Sequence, residues 1–214
     1  MFALSGLSEL IAAIESLKRS DVKNLVDNRV REFKENGSKP INEVFKEMCF
    51  CILTARFSAE KSVKIQEEIG GGFLNLPEDK LAEKLKELGH RYPHLRAKYI
   101  VEARKIISNL ESILKATKRG KVLREWLVKN VRGLGYKEAS HFLRNIGFMD
   151  VSIIDFHVIN VLAKYGLIEK PRTLTKRRYI EIERVLEGIA KRTNLSLGEL
   201  DLYLWFMETG KVLK

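Results

Sequence analysis

The sequence predicts an all-α fold. Apolar residues recur at three- and four-residue spacing through almost every segment. Glycine and proline punctuate those segments at ordinary helix lengths. Strand-like alternation is nearly absent, and the one β-like run, MDVSII from Met149, is too short to found a sheet. About ten or more short helices follow, joined by connections of ordinary length, with no internal repeat and no low-complexity linker.

Taken in order, Leu7, Leu10, Ile11, Ile14 and Leu17 keep the i, i+3, i+4, i+7 rule of a first helix, with Ser8 and Glu9 suited to its start. A second helix runs from Val22 to Phe33 and is stopped by Asn36-Gly37-Ser38 and Pro40. A third begins after Pro40 and carries Val44, Phe45, Met48, Ile52 and Leu53. Ser58 to Ile69 forms the next, closed by Gly70-Gly71-Gly72. Pro77 opens a helix bearing Leu81, Leu85 and Leu88. Arg96 to Leu114 and Val122 to Val128 follow. Gly133 and Gly135 interrupt the pattern, and Lys137 to Ile146 resumes it with Gly147 as C-cap. Asp155 starts a helix that reaches Tyr165 and ends at Gly166. Arg178 to Arg192 and Leu197 to Met207 complete the chain.

Composition narrows the function classes. The 214 residues are 45% hydrophobic and 31% charged, a globular balance with ample length for a core. No stretch approaches the ~18 uninterrupted apolar residues of a membrane helix. The amino-terminal MFALSGLSELIAAIESLKRS has no basic leader region, and Glu9 breaks its apolar run, so it reads as an amphipathic helix and not a signal peptide. The two cysteines, Cys49 and Cys51, exclude a disulfide scaffold and any four-cysteine zinc or iron–sulfur site; they read as buried hydrophobes and fit a reducing cytoplasm. No metal site is expected: His90 and His94 are four apart, but Pro93 between them breaks a shared helical face. The net charge of +11 points to a polyanion, nucleic acid first. Mixed-sign runs such as KLKELGHR equally fit Lys/Glu enrichment for heat stability, so charge alone leaves both readings open.

The most informative stretch is LVKNVRGLGYKEASHFL, Leu127 to Leu143. Two glycines two apart permit unusual backbone angles and leave N–H groups bare of side chains. Beside a helix N-terminus they make a phosphate site, flanked here by Lys129 and Arg132, with Leu134 pointing inward as a pin. The bland alternative is a tight αα-corner. Lys137 sits in the first turn of the next helix, where a cation opposes the positive end of the dipole. The neutral amine is the form that attacks as a nucleophile; the alternative is a solvated lysine. Asp155 precedes an apolar-periodic helix and reads as its N-cap. A capping carboxylate is held ionised and aimed, and could stabilise a cation developing on a sugar ring. Eighteen residues separate Lys137 from Asp155, room for one helix and one loop, so the two could face each other across a cleft.

The run from Leu127 through SIIDFHV resembles the helix–hairpin–helix DNA glycosylase superfamily, in which a Gly-hydrophobic-Gly hairpin is followed two residues on by a catalytic lysine and later by a catalytic aspartate. Gly133-Leu134-Gly135, Lys137 and Asp155 occupy those places. Ile52 to Arg56 is similar to the segment ending in a residue inserted into the duplex, and Leu88 to Ile100 to the LG…KA..I segment ahead of the hairpin. No cysteine cluster follows Asp155, which disfavours the iron–sulfur branch, and the large amino-terminal β-domain of the eukaryotic enzymes is missing. With Trp205 near the end and a terminal Lys214, the chain resembles the small 8-oxoguanine glycosylases of archaea and thermophilic bacteria.

That resemblance implies two helical subdomains with the active cleft between them. One spans about 31–149 and holds the helix–hairpin–helix at about 122–146; the other combines about 1–30 with 150–214. It further implies excision of 8-oxoguanine through a Lys137 Schiff base and strand cleavage by β-elimination, with Asp155 supporting departure of the base. Arg132, Gly133 and Gly135 would hold phosphate, Arg56 would fill the gap left by the flipped nucleotide, and His157 would touch DNA. Trp205 and Lys214 would recognise the base. No cofactor is required; a monovalent cation could sit at the hairpin. The partner is double-stranded DNA containing the lesion, bound by a monomer in the cytoplasm, at the nucleoid. A non-catalytic helix–hairpin–helix DNA-binding module, a glycosylase for another damaged base, and a helical interaction protein with heat-adapted charge remain the alternatives.

Overall fold

The computed structural model describes residues 2–214, with side chains from Ser5 onward, and is all-helical as the periodicity predicts. Among the described residues there are thirteen helices and no strand. The first three are α1 (Phe2–Lys18), α2 (Val22–Gly37) and α3 (Ile41–Thr54). After them come α4 (Ala59–Ile69), α5 (Gly72–Asn75), α6 (Glu78–Glu87), α7 (Pro93–Arg104) and α8 (Ile107–Ala116). Then follow α9 (Gly120–Asn130), α10 (Tyr136–Asn145), α11 (Phe156–Lys164), α12 (Lys176–Thr193) and α13 (Leu197–Thr209). Side-chain oxygens set several starts: Ser58, Asp155, Thr175 and Ser196 each accept main-chain N–H groups of the helix that follows. None of these helices is long and apolar enough to cross a membrane.

Three boundaries differ from the sequence reading. The first helix begins at Phe2, a turn and a half before Ser8. A short α5 forms inside the glycine-rich stretch. The single helix expected from Arg96 to Leu114 is two, broken at Lys105–Ile106. The break has a tertiary cause. Arg104 donates to the carbonyls of Phe73 and Leu76 at 2.7 Å and of Gly72 at 3.3 Å, which fixes the end of α7. The chain then restarts at Ile107 and still delivers Leu110 to the core.

Apolar faces assemble into separate clusters. The largest joins α3 through α10 around Phe45, Phe50, Phe73 and Phe142, and includes both buried cysteines and Leu134. A second joins α1, α11, α12 and α13 around Leu10, Ile14, Leu186 and Leu200. In a third, Val22, Val26 and Phe33 of α2 meet Leu202 and Tyr203 of α13. The boundary drawn near residue 30 falls inside α2, which is one unbroken helix.

Between α10 and α11 the chain runs extended, with Val151 to Ile154 buried. Outside a helix, buried main-chain groups need outside partners. Ser152 N–H donates to Glu183 Oε1 at 3.1 Å, the Tyr179 hydroxyl donates to Ser152 O at 2.6 Å, and Ile154 N–H donates to the same hydroxyl at 3.3 Å. Glu183 is held in turn by a bidentate pair with Arg124, at 2.6 and 2.7 Å, and both side chains are about 3% exposed. Glu183→Ala should therefore cost about 3–5 kcal/mol, because it strands a buried guanidinium and the Ser152 N–H. Equilibrium denaturant unfolding reads this directly. Glu83→Ala, which removes only an exposed partner of Lys80, should leave the midpoint in place.

Candidate active site

The hairpin joins α9 to α10. Gly133 has φ +91°, and a Cβ there would lie 2.5 Å from Cδ2 of Tyr99, so both conformation and packing require glycine. Gly135 differs from expectation: its φ of −86° is open to any residue. Its value lies in being a bare N-cap, since a Cβ would stand 3.0 Å from the Glu138 carboxylate. Glu138 reaches back to accept the Gly135 N–H at 3.2 Å. Leu134 is buried as the pin. Arg132 is exposed, with its guanidinium 5.2 Å from the Tyr99 ring centroid and 3.5 Å from Glu102.

In the first turn of α10, Lys137 lines a cavity of about 370 Å³. Asp155 lines the same cavity. As N-cap of α11, its Oδ1 accepts the N–H groups of His157 at 2.9 Å and Val158 at 3.0 Å, which fixes the carboxylate's direction. The amino-terminal turns of α10 and α11 thus open on one space, with their positive dipole ends toward it. Lys137 is 29% exposed, and its Nζ lies 4.0 Å from Glu138.

His157, Trp205 and Lys214 complete the wall, so five of the predicted residues meet here. The His157 ring stands 3.8 Å from that of Phe156 and 4.3 Å, edge-on, from that of Trp205. Trp205 Nε1 and His157 Nδ1 are buried without a hydrogen-bond partner. Groups of this kind are costly unless a ligand pairs them. Lys214 lines the cavity, but its amine is turned away to Glu47 and Gln66.

Sequence reasoning missed the charged floor. Arg144 and Asp201 form a buried pair there. Burial pushes the Asp201 carboxyl up to about 6, Arg144 opposes that rise and Asp155 adds to it. Burial also holds the His141 imidazole well below its usual range, reinforced by Arg144 and Lys137. Phe156, 65% exposed beside Asp155, was missed as well. Its apolar character at a helix start gives no signal, since exposure is a tertiary property.

Arg56 lies outside the cavity lining, as do Arg132, Gly133 and Gly135. It is exposed at the turn after α3, with φ +58°, one of two described non-glycine residues in the left-handed region. Strain of that kind persists where its surroundings enforce it. Arg96 donates to Ala55 O at 2.6 Å, and His90 Nε2 donates to Leu53 O at 3.0 Å. His90 Nδ1 accepts the Tyr92 N–H at 3.1 Å, so both ring nitrogens are occupied and His90 does not pair with His94 around a metal.

The geometry has close counterparts. The family model described as 8-oxoguanine DNA glycosylase matches residues 26–195. A relative from Korarchaeum cryptofilum named 8-oxoguanine DNA glycosylase/AP lyase is 55% identical over 210 residues, covering 98% of this chain and 100% of its own. The Methanocaldococcus jannaschii 8-oxoguanine glycosylase/lyase, crystallised with a 15mer DNA containing 8-oxoguanine, superimposes with a TM-score of 0.93 at 53% identity, covering 96% of this chain and all of the other. The Thermotoga maritima 8-oxoguanine DNA glycosylase gives a TM-score of 0.90 at 44% identity, covering 97% of this chain and all of that one. With a lysine and a capped aspartate on one cavity beside a glycine hairpin, and relatives matched along nearly their full length, this chain belongs to the 8-oxoguanine DNA glycosylase family.

Proposed function

We propose that this chain excises 8-oxoguanine from duplex DNA through Lys137 and Asp155 and then cuts the abasic strand. The observation that carries the residue assignment is the meeting of Lys137 with Asp155 on one aromatic-walled cavity. A DNA-binding module without chemistry would need neither residue there.

C1′ of the sugar is shielded inside a duplex, so the nucleotide must leave the stack. The hairpin and the exposed Arg132 hold backbone phosphate, and Arg56 fills the vacated space. The N-glycosidic bond breaks as Asp155 stabilises positive charge on the sugar. Lys137 Nζ, having lost a proton, attacks C1′, and ring opening gives an imine. The imine acidifies the C2′ hydrogen; its loss expels the 3′ phosphate by cleavage of the C3′–O bond. The protein acts as a monomer.

8-Oxoguanine differs from guanine by a C8 carbonyl and a hydrogen on N7. An acceptor placed for that N7–H would be left unpaired by guanine, at a cost of ~1–3 kcal/mol, roughly ten- to hundredfold. The tail that lines the cavity, Lys211 to Lys214, supplies main-chain acceptors, and Trp205 offers a face to the base.

Borohydride trapping on an 8-oxoguanine duplex, with a plain duplex as control, tests the reaction. Lys137→Gln should abolish trapping and strand cleavage while lesion binding survives; undiminished trapping would assign the nucleophile to another amine. Asp155→Asn should slow base excision far more than cleavage of a preformed abasic site, at little cost in stability, since Asn caps about as well as Asp. Single-turnover rates on the two substrates separate these effects. Arg56→Ala should weaken duplex excision more than cleavage of a single-stranded abasic site. Equal effects on both substrates would remove the wedge assignment.

A further inference from the structure

Glu47 is a buried charge that the reaction does not use. It is 6% exposed in α3, where it stands among Val44, Phe45, Met48 and Phe50. Its Oε1 accepts Asn145 Nδ2 of α10 at 2.7 Å. Its Oε2 accepts Gln66 Nε2 of α4 at 3.2 Å and the Nζ of Lys214 at 3.1 Å. Gln66 Oε1 accepts a second N–H of the same ammonium at 2.5 Å, and the Phe50 ring centroid lies 4.4 Å from it. The Lys214 side chain therefore fills a socket of two oxygens and an aromatic face, built by two helices.

Chain ends fray unless tied down. Elsewhere along the tail, Val212 packs against the α2–α13 cluster and His141 meets the Lys214 main chain, while Lys211 and Glu60 pair through two side chains more than half exposed, a kind of pair that holds little. The socket differs because both its charges are mostly withdrawn from water: the Lys214 side chain is 19% exposed and that of Glu47 8%. Stranding either charge is costly, so each enforces the other's place.

We propose that Glu47 and Gln66 form a latch that seats Lys214 and so positions the tail's main chain for discrimination of the base. Glu47 and Gln66 are positioning residues acting through the tail. The ammonium of Lys214 is its anchor, and the neighbouring main chain is what meets the base. This rests on the reading that the tail borders the base.

Glu47→Gln and Gln66→Leu in the full chain test the latch with two readouts. The first is release of Lys214 by carboxypeptidase B. The second compares 8-oxoguanine excision with cleavage of a preformed abasic duplex. Losing a charge-assisted hydrogen bond should speed release and slow excision by about tenfold or more, leaving abasic cleavage within about twofold. Glu47→Gln also touches Asn145 and α10, which carries Lys137; Gln66→Leu leaves that contact in place and loses besides only a bond to the Lys46 carbonyl of α3, so an effect passing through α10 would appear only in Glu47→Gln and on both substrates. Unchanged release of Lys214 in both variants would overturn the latch. Faster release with undiminished excision would overturn its role in base discrimination. A wild-type protein inactive on 8-oxoguanine would instead sink the reading of function, while the release assay would still report on the latch.

Discussion

The fold depends on the Arg124–Glu183 pair because it makes a buried extended chain possible. After α10 ends at Asn145, ten residues before Asp155, the chain leaves helical geometry, and from Val151 to Ile154 it passes through the interior, where each main-chain group must find a partner. Glu183 takes the Ser152 N–H, and Tyr179 serves both Ser152 and Ile154. Arg124 keeps Glu183 in place and also bonds Ser140 of α10 at 3.2 Å. Helix α9, helix α10, the linking segment and α12 thus converge on one ion pair. Its contribution is placement: Asp155 arrives at the cavity at a defined height relative to Lys137.

The same logic recurs beneath the cavity. Arg144 pairs with Asp201 and holds Asn145 Oδ1 at 2.9 Å, and Asn145 donates to Glu47, which binds Lys214. Consecutive residues at the end of α10 thereby reach α13, α3 and the carboxyl terminus. Buried charges of this kind contribute little net stability. They do supply a fixed polar environment in a region poor in water, where oriented groups act most strongly on a developing charge. The site is made from two helix starts, walled by Trp205 and floored by the Arg144–Asp201 pair.

Residues of α7 touch both the hairpin and the turn after α3. The Tyr99 ring packs against Gly133 on one side and lies 5.9 Å from the Arg96 guanidinium on the other. Arg96 in turn holds the carbonyl just before Arg56. Helix α7 therefore connects the hairpin to the strained turn and fixes the spacing between Gly133 and Arg56. An arginine at φ +58° is affordable only because the α3 end is braced by both Arg96 and His90.

Amphipathic period, caps and glycine stops made the helices legible, and the Gly133-Leu134-Gly135 hairpin, Lys137, Asp155 and Trp205 could be singled out because motif spacing is a property of the chain alone. Family and reaction class follow from those residues. The break after Arg104 was invisible because three carbonyls some thirty residues upstream impose it. Gly135 resembled Gly133 on paper, and only the backbone showed that one needs a left-handed angle and the other an open N-cap. Glu47, Arg144 and Asp201 looked like ordinary charges on helices. Periodicity reports which face of a helix is buried; it does not report which distant side chain a buried charge will meet. The sequence by itself determined the helices and the motif that marks the family, while tertiary packing decided the cavity, its charged floor and the seat of Lys214, because each of those rests on hydrogen bonds between residues far apart in the chain.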